Sequence, residues 1–595
     1  MELEAALKSD ALTAFSRSLE LALGAASSSR GKVVLAVDAS QLAIFELLAY
    51  GSGGSEFYEK LGISRLLSVQ LQTGDVAQLQ RQLDISKDPQ ANQEQGKKTL
   101  DVAVVAPPLP TVAKRLADAL RPLELAPTRH CAVLWLPSAT SDVTLEMERQ
   151  GVAGFIRQAN LALGLIPVDR GVAALCHDSV FGELYVKGDS RALTDVVKSV
   201  LAVERHTGRR ILDVTCHGFF AQRVKKMLEL AHRQQQKIKM SRAAGTKELE
   251  ADVAAPMDKL VVIDRMEDPL SMLLTPMTYE GLLDALVGVN HGVVTYEKEE
   301  EDAEDAASTS SSIKEESTTT TTTQKVVLNH LDALFDEIRD VNFNLVSNQL
   351  VDVAKDLATE VRGKLGRDSQ AAFQKVKALL AKAPHLVKKK RSLAHHLQLV
   401  QRIRELSTQL ALRGCVETEM TIMSAGPSAS SAAAKDVDSF LEEAILREPP
   451  LNLYDVIKLL CLCSLVRGGL KPDTLAWYRQ QLCHTYGHQI LPLLVQLEKM
   501  DLLSVENRFD FPKMRKQLLL MRGALDDEDT RHPSDIHFMF PYTGYAPMSI
   551  RLLQESLGMK YKTLAKDPTS SLLSLGSGSG NNSSSHHTWN PVRAQ

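Results

Sequence analysis

The residues best placed to do chemistry are Asp264 and Arg265, which end the apolar run Leu260-Val261-Val262-Ile263 and precede Glu267, Asp268, Thr275 and Pro276. The carboxyl end of a parallel strand is where α/β enzymes place catalytic acids, because the loops there line a crevice. No nucleophile, base or cofactor loop accompanies this group. The favoured reading is therefore structural: an Asp–Arg ion pair pins the following loop, and Thr275 leads into a proline-started helix. A phosphate cradle needs spaced glycines before a Lys-Ser or Lys-Thr pair, so that backbone amides face the anion. Gly31-Lys32, Gly96-Lys97 and Gly363-Lys364 lack both features, and Gly51-Ser52-Gly53-Gly54 follows a helical stretch and reads as a loop. The Gly-x-Ser-x-Gly elbow of serine hydrolases does not occur. Cys461 and Cys463, followed by Cys483, His484 and His488, do not form the two separated ligand pairs of a structural zinc site. Two apart on a helix, Cys461 and Cys463 point to different sides and read as buried thiols. His395 and His396 read as one inward and one outward helix residue. No metal and no cofactor is expected.

The chain that must position these residues has 595 of them, more than one ordinary core holds, so several domains are expected. Its 44% hydrophobic and 24% charged residues are those of a folding chain rather than a disordered one. The formal net charge of -4 lacks the basic excess of a nucleic-acid binder, so no nucleic-acid partner is expected. The 7 cysteines are scattered, which suits reduced thiols in the cytosol better than a disulfide framework. Met1-Glu2-Leu3-Glu4 carries acids where a signal peptide carries bases, and Glu2 excludes myristoylation. Val592-Arg593-Ala594-Gln595 is not a prenylation box, and no apolar run approaches the roughly 18 residues that span a bilayer. A cytoplasmic protein is expected, with membrane contact only through partners.

Lys32–Asp38, Asp101–Val105 and Cys131–Leu136 are continuous apolar runs separated by helical periods such as Gln41–Ala49. Such runs predict parallel strands covered on both faces. Leu260–Asp264 and Ile536–Phe540 have the same character far downstream, so α/β material is split around something else. That insert is helical: Phe373, Val376, Leu379 and Leu380 share a face, as do Leu393, Leu397, Val400, Ile403, Leu406 and Leu410, and then Leu453, Val456, Ile457 and Leu460. The fold expected is α/β plus α. Its parts are an N-terminal α/β domain (1–150), a second α/β domain (151–275 with a return segment 526–565) and a helical domain (276–525). Disordered insertions are expected at 298–325 and 424–434, with a flexible tail at 566–595.

Several motifs, in order, carry a family resemblance. Leu260–Gly288 (LVVIDRMEDPLSMLLTPMTYEGLLDALVG) has a strand ending in Asp264-Arg265, then Asp268-Pro269, Thr275-Pro276 and the helix start Thr278-Tyr279-Glu280. It resembles the signature of the Sec-one/Munc-eighteen (SM) family, and Phe335–Phe343 is similar to that family's next helix. Phe181–Asp189, the Ser392-Leu393-Ala394-His395-His396 stretch, Leu459–Leu503 and Tyr542–Leu552 resemble segments of the vacuolar protein sorting-associated protein 33 branch. The last contains Gly544, Tyr545, Pro547 and Arg551.

The resemblance implies a three-domain arch that is not an enzyme. It binds SNARE proteins, templates their assembly, and serves as a subunit of the HOPS and CORVET tethers on late endosomes, lysosomes and vacuoles. It further implies a tethering-subunit contact near Thr485, Tyr486, Ile490 and Leu494. The SNARE side would be the cleft of the first domain and the surface near Thr278, Tyr279 and Glu280. Relatives close domain two with an apolar strand and paired glycines, where this chain has a Ser/Gly/Asn stretch, so the expectation is either a wrongly assigned final exon or a domain two that lacks a strand. Two alternatives stand beside this reading: an SM protein of another trafficking step, and an α/β nucleotide-binding enzyme using Asp264.

Overall fold

The computed structural model describes residues 2–23, 33–49, 55–83, 101–121, 131–154, 156–243, 255–257, 259–298, 322–365, 384–426, 432–521 and 539–559. Five parallel strands open the fold: β1 (Val33–Asp38), β2 (Ile63–Val69), β3 (Asp101–Ala106), β4 (Cys131–Trp135) and β5 (Arg157–Asn160). They lie in the order β2-β1-β3-β4-β5. The side-chain period of two explains the unbroken apolar sequence of β1. Val33, Leu35 and Val37 enter one core with Phe15 and Leu19 of the helix Glu2–Leu23, while Val34 and Ala36 enter the other with Ala113 and Leu116. A boundary at residue 150 would cut this sheet, because Arg157 pairs with Ala132 on β4. The first α/β unit therefore runs past 150, and its edge strand escaped the sequence reading because Arg-Gln-Ala-Asn carries no apolar run.

A hairpin follows, β6 (Ile166–Asp169) with β7 (Val172–Ala174). Beyond it stand two short parallel pairs, β8 (Arg209–Ile211) with β10 (Ala255–Met257) and β9 (Val214–His217) with β11 (Leu260–Ile263). The long helix Phe219–Ala243 leaves β9 and packs Val224 and Leu228 against Leu193 and Val197 of the helix Ala192–Thr207. The C-terminal helix Met548–Ser556 comes back to these strands. The Ser556 hydroxyl lies 2.7 Å from His217 Nε2, and Lys259 Nζ donates to the Ser556 carbonyl at 2.8 Å.

The helical part contains a sheet that the sequence did not announce. Strands β12 (Val289–Asn290), β13 (Val293–Lys298) and β14 (Thr322–Val327) form an antiparallel ladder. The expected insertion 298–325 is thus shorter than its composition implied: Lys298 pairs with Thr322, and β-branched threonines supply part of a strand. The second insertion, 424–434, also contracts. Ser424 and Ala425 end the helix Leu412–Ala425, and Ala432 opens Ala432–Leu446. Leu393, Val400 and Ile403 are buried on the helix Pro384–Gln409, but Leu397 is 44% exposed and Leu399 takes the inward place. The acidic Ser/Thr run at 299–321, the face Phe373–Leu380, the loop Gly51–Gly54, residues 536–538 of the expected late strand and the tail 566–595 lie outside the described residues. Met539 and Phe540 belong to a turn, not a strand.

Candidate functional site

The segment 264–280 runs from the end of β11 into the helical part, and its carboxylates Asp264, Asp268 and Glu280 are each bonded to partners. Asp264 ends its strand with both oxygens on backbone amides, Oδ2 on Phe220 N at 3.0 Å and Oδ1 on Met266 N at 3.4 Å. The expected Asp264–Arg265 ion pair is not formed among the described residues: Arg265 is exposed, and amides serve the carboxylate instead. Burial raises the Asp264 pKa above its ordinary value. Burial, followed by repulsion from Asp264, lifts the neighbouring Glu267 to about 7. Gly218 makes the approach to Asp264 feasible. Its φ is +96°, and a Cβ there would stand 2.3 Å from the Asp264 Cβ.

Asp268 is 2% exposed and is the most heavily used carboxylate of the segment. It accepts from Ser271 N (3.2 Å) and Oγ (2.8 Å), from the Tyr545 hydroxyl (2.8 Å), and from Ser549 N and Oγ (2.8 Å each). A buried carboxylate is tolerable only when so satisfied. The Tyr545 hydroxyl, enclosed beside this charge, has its pKa raised far above normal, chiefly by burial. Pro269 lies just before the short helix Leu270–Leu273. On the return segment, Gly544 takes φ +64°, Pro547 precedes the helix Met548–Ser556, and buried Arg551 donates to Leu519 O at 3.3 Å. Tyr545 and Ser549 lie more than 270 residues from Asp268 in sequence and bond to it directly in space.

The next residues fasten the helical part. Thr275 donates from N (2.8 Å) and Oγ1 (2.7 Å) to Glu419, itself paired with Lys458 at 2.8 Å. Pro276 does not start a helix. Thr278 does, its hydroxyl accepting Gly281 N as the cap of Tyr279–Leu286. Tyr279 is fully buried and meets His396 Nδ1 at 2.8 Å. His396 Nε2 faces Asp332 at 3.2 Å, which puts the imidazole proton on Nε2 and makes Nδ1 the acceptor of the tyrosine hydroxyl. Ser392 also donates to Asp332, at 2.6 and 2.8 Å. Burial works to raise the Asp332 pKa, but the bonds from His396 and Ser392 outweigh it and hold the carboxyl at about 2. His396 is thus the inward histidine and half-buried His395 the outer one, meeting the Tyr296 hydroxyl at 2.7 Å. Glu280 binds Arg339 at 2.9 Å, and Arg339 reaches Asp169 of the β6–β7 hairpin. The Phe335–Phe343 motif is therefore a junction rather than one helix: Ala333–Ile338 ends, the chain turns, and Phe343–Leu365 begins.

Thr485, Tyr486, Ile490 and Leu494 come together at the break between Pro472–Tyr486 and Leu491–Lys499. Ile490 and Leu494 are buried, and half-buried Tyr486 donates to Leu451 O. The apolar side chains that face outward are their neighbours, Leu491 at 44%, Leu493 at 37% and Val495 at 59% exposure. The sequence reading missed these three, although leucines out of step with the buried pair Leu494 and Leu497 were the visible signal. Cys461 and Cys463 are buried in Leu453–Arg467, and burial pushes each thiol up to about 12. No helix among the described residues is long and apolar enough to cross a membrane.

The Sec1 family profile matches residues 63–595. The vacuolar protein sorting-associated protein 33A of Rattus norvegicus is 28% identical over 432 residues, covering 72% of this chain and 67% of that protein. The vacuolar protein-sorting-associated protein 33 homolog of Arabidopsis thaliana is 26% identical over 437 residues, covering 72% and 65%. The chain thus spans about two thirds of the length of the curated relatives it matches. Among solved structures, the SM protein Vps45 in complex with the Qa SNARE Tlg2 aligns over 93% of this chain and 86% of that one. Its TM-score is 0.50 at 15% identity, a likeness of fold.

Proposed function

We propose that this chain, which belongs to the Sec1 family, binds SNARE proteins and holds their helices in register for assembly before vesicle fusion. It acts by binding rather than catalysis. The observation that carries the reading is the fastening of the α/β units to the helical part by segment 264–280, with buried Asp268 and Glu419 and half-buried Asp332 as its anchors. A frame braced in this way can present separated surfaces at fixed spacing, which lowers the ordering cost of partners that fold on binding. We read the whole as a three-domain arch. The SNARE side lies along the cleft of the first α/β unit and the surface around Glu280, with Thr278 and Tyr279 shaping it from inside.

The similarity to vacuolar protein sorting-associated protein 33 supports a place in HOPS or CORVET tethers, peripheral to late endosomes, lysosomes or the vacuole. The tether side is the helix break at Thr485, Tyr486, Ile490 and Leu494, where Leu491 and Val495 supply the contact. The test is capture of the purified chain by cognate SNARE bundles and by tethering subunits. Val495→Asp should abolish tether capture and leave SNARE capture intact. A chain that binds neither class of partner is not what we propose.

A further inference from the structure

The helix Phe219–Ala243 carries a surface that the reading above does not use. At 100° per residue, the residues it buries, Val224 and Leu228, lie on one side. Phe219, Arg223, Lys226, Leu230, Arg233 and Lys237 are all exposed and form a single row on the opposite side, spanning roughly 27 Å of helix. Phe219 is 65% and Leu230 55% exposed, so two large apolar side chains stand on the same row as the cations. The row contains no acid. Lys226, Arg233 and Lys237 form no ion pair among the described residues, and Arg223 lies over the Phe219 ring at 6.0 Å. At the start of the row the rings of Phe181, Tyr185, Phe220 and Phe219 follow one another at 4.7, 5.2 and 5.2 Å between centroids.

We propose that this face rests directly on an anionic lipid bilayer, a contact of the chain's own beyond any membrane attachment its partners provide. Charge decides the sign of the occupant: four cations in a row select a negatively charged surface. Spacing decides its kind. A partner helix needs an apolar seam repeating about every 3.5 residues, whereas Phe219 and Leu230 are three turns apart with only Arg223 and Lys226 between them on the row, and exposed Glu229 flanks it. Sparse apolar side chains among cations, with aromatic rings at one end, fit the headgroup boundary of a membrane.

The test is flotation of the full chain with vesicles of phosphatidylcholine alone or mixed with phosphatidylserine. The wild type should float only with the mixed vesicles and be released by added salt. Arg233→Glu with Lys237→Glu should lower the bound fraction by at least about tenfold, each basic residue being worth roughly fivefold at such a surface. Arg233→Lys with Lys237→Arg should retain it, and an unchanged unfolding midpoint shows that both variants fold. The proposal fails if the wild type ignores phosphatidylserine or if the charge-reversed variant floats equally well. It also fails if an acidic helical peptide is captured while vesicles are not, which would assign the face to a protein. None of these outcomes depends on SNARE or tether capture.

Discussion

Segment 264–280 and the helix Phe219–Ala243 meet at one hydrogen bond, Phe220 N to Asp264, and differ in nearly everything else. In the segment, Asp268 and Thr275 are enclosed and satisfied by partners from distant parts of the chain. On the outward face of the helix, Lys226, Arg233 and Lys237 are exposed and have no ion-pair partner among the described residues. The motif-rich region is internal bracing, and the region without any family motif is free surface. Residues that define a family by sequence can be those that hold the frame.

The largest effect that would break this contrast is at Asp268. Asp268→Ala strands the Tyr545 hydroxyl and the Ser271 and Ser549 donors in the interior, so a loss of about 3 kcal/mol or more is expected. It should appear as a lowered thermal unfolding midpoint, and a midpoint within a degree or two of wild type would remove the bracing role. Glu267 tests the electrostatics of the same segment. Its carboxyl moves from 4.5 to about 7 on folding, so between those values the unfolded chain has already released a proton that the folded chain keeps. Stability should therefore fall as pH rises through this window and level off above about 7. Glu267→Gln should flatten that decline by on the order of 2 kcal/mol, read from unfolding midpoints at mildly acidic and slightly alkaline pH. Asp332 and Asp169, held at about 2, have the opposite sign: their contribution is present above pH 3.8 and is lost as pH falls toward 2. The smallest effect is on the helix. Arg233→Glu with Lys237→Glu should change stability by less than about 0.5 kcal/mol, since neither side chain is enclosed or paired. A large loss there would mean that the face is structural after all.

The sequence made β1, β3 and β4 readable because both faces of each strand are buried and the apolar runs are unbroken. It hid β2 and β5, whose edge positions leave Arg65 and Arg157 exposed, and β14, whose threonines read as low complexity. The capping role of Thr278 was legible as a helix start, whereas the shift of that start from Pro276 was not. Asp268 and Tyr545 could each be singled out by motif, but nothing in a single sequence pairs residues so far apart. For Asp264, an adjacent arginine was the obvious partner, but its carboxylate takes a backbone amide two residues on and another from the helix Phe219–Ala243. Of the residues expected at a tether contact, Ile490 and Leu494 are enclosed, because alternation on a short helix does not say which leucine faces in.

The bond between Asp268 and Ser549 joins positions 281 residues apart. A ribosome adding roughly 5–20 residues per second would need on the order of tens of seconds to make that stretch. For that interval the nascent chain carries a carboxylate destined for the interior and an apolar pocket awaiting Met548 and Leu552, with neither yet complete. Such a chain leaves apolar surface uncovered through that interval, and its yield in a cell should respond to chaperone supply as well as to its final stability.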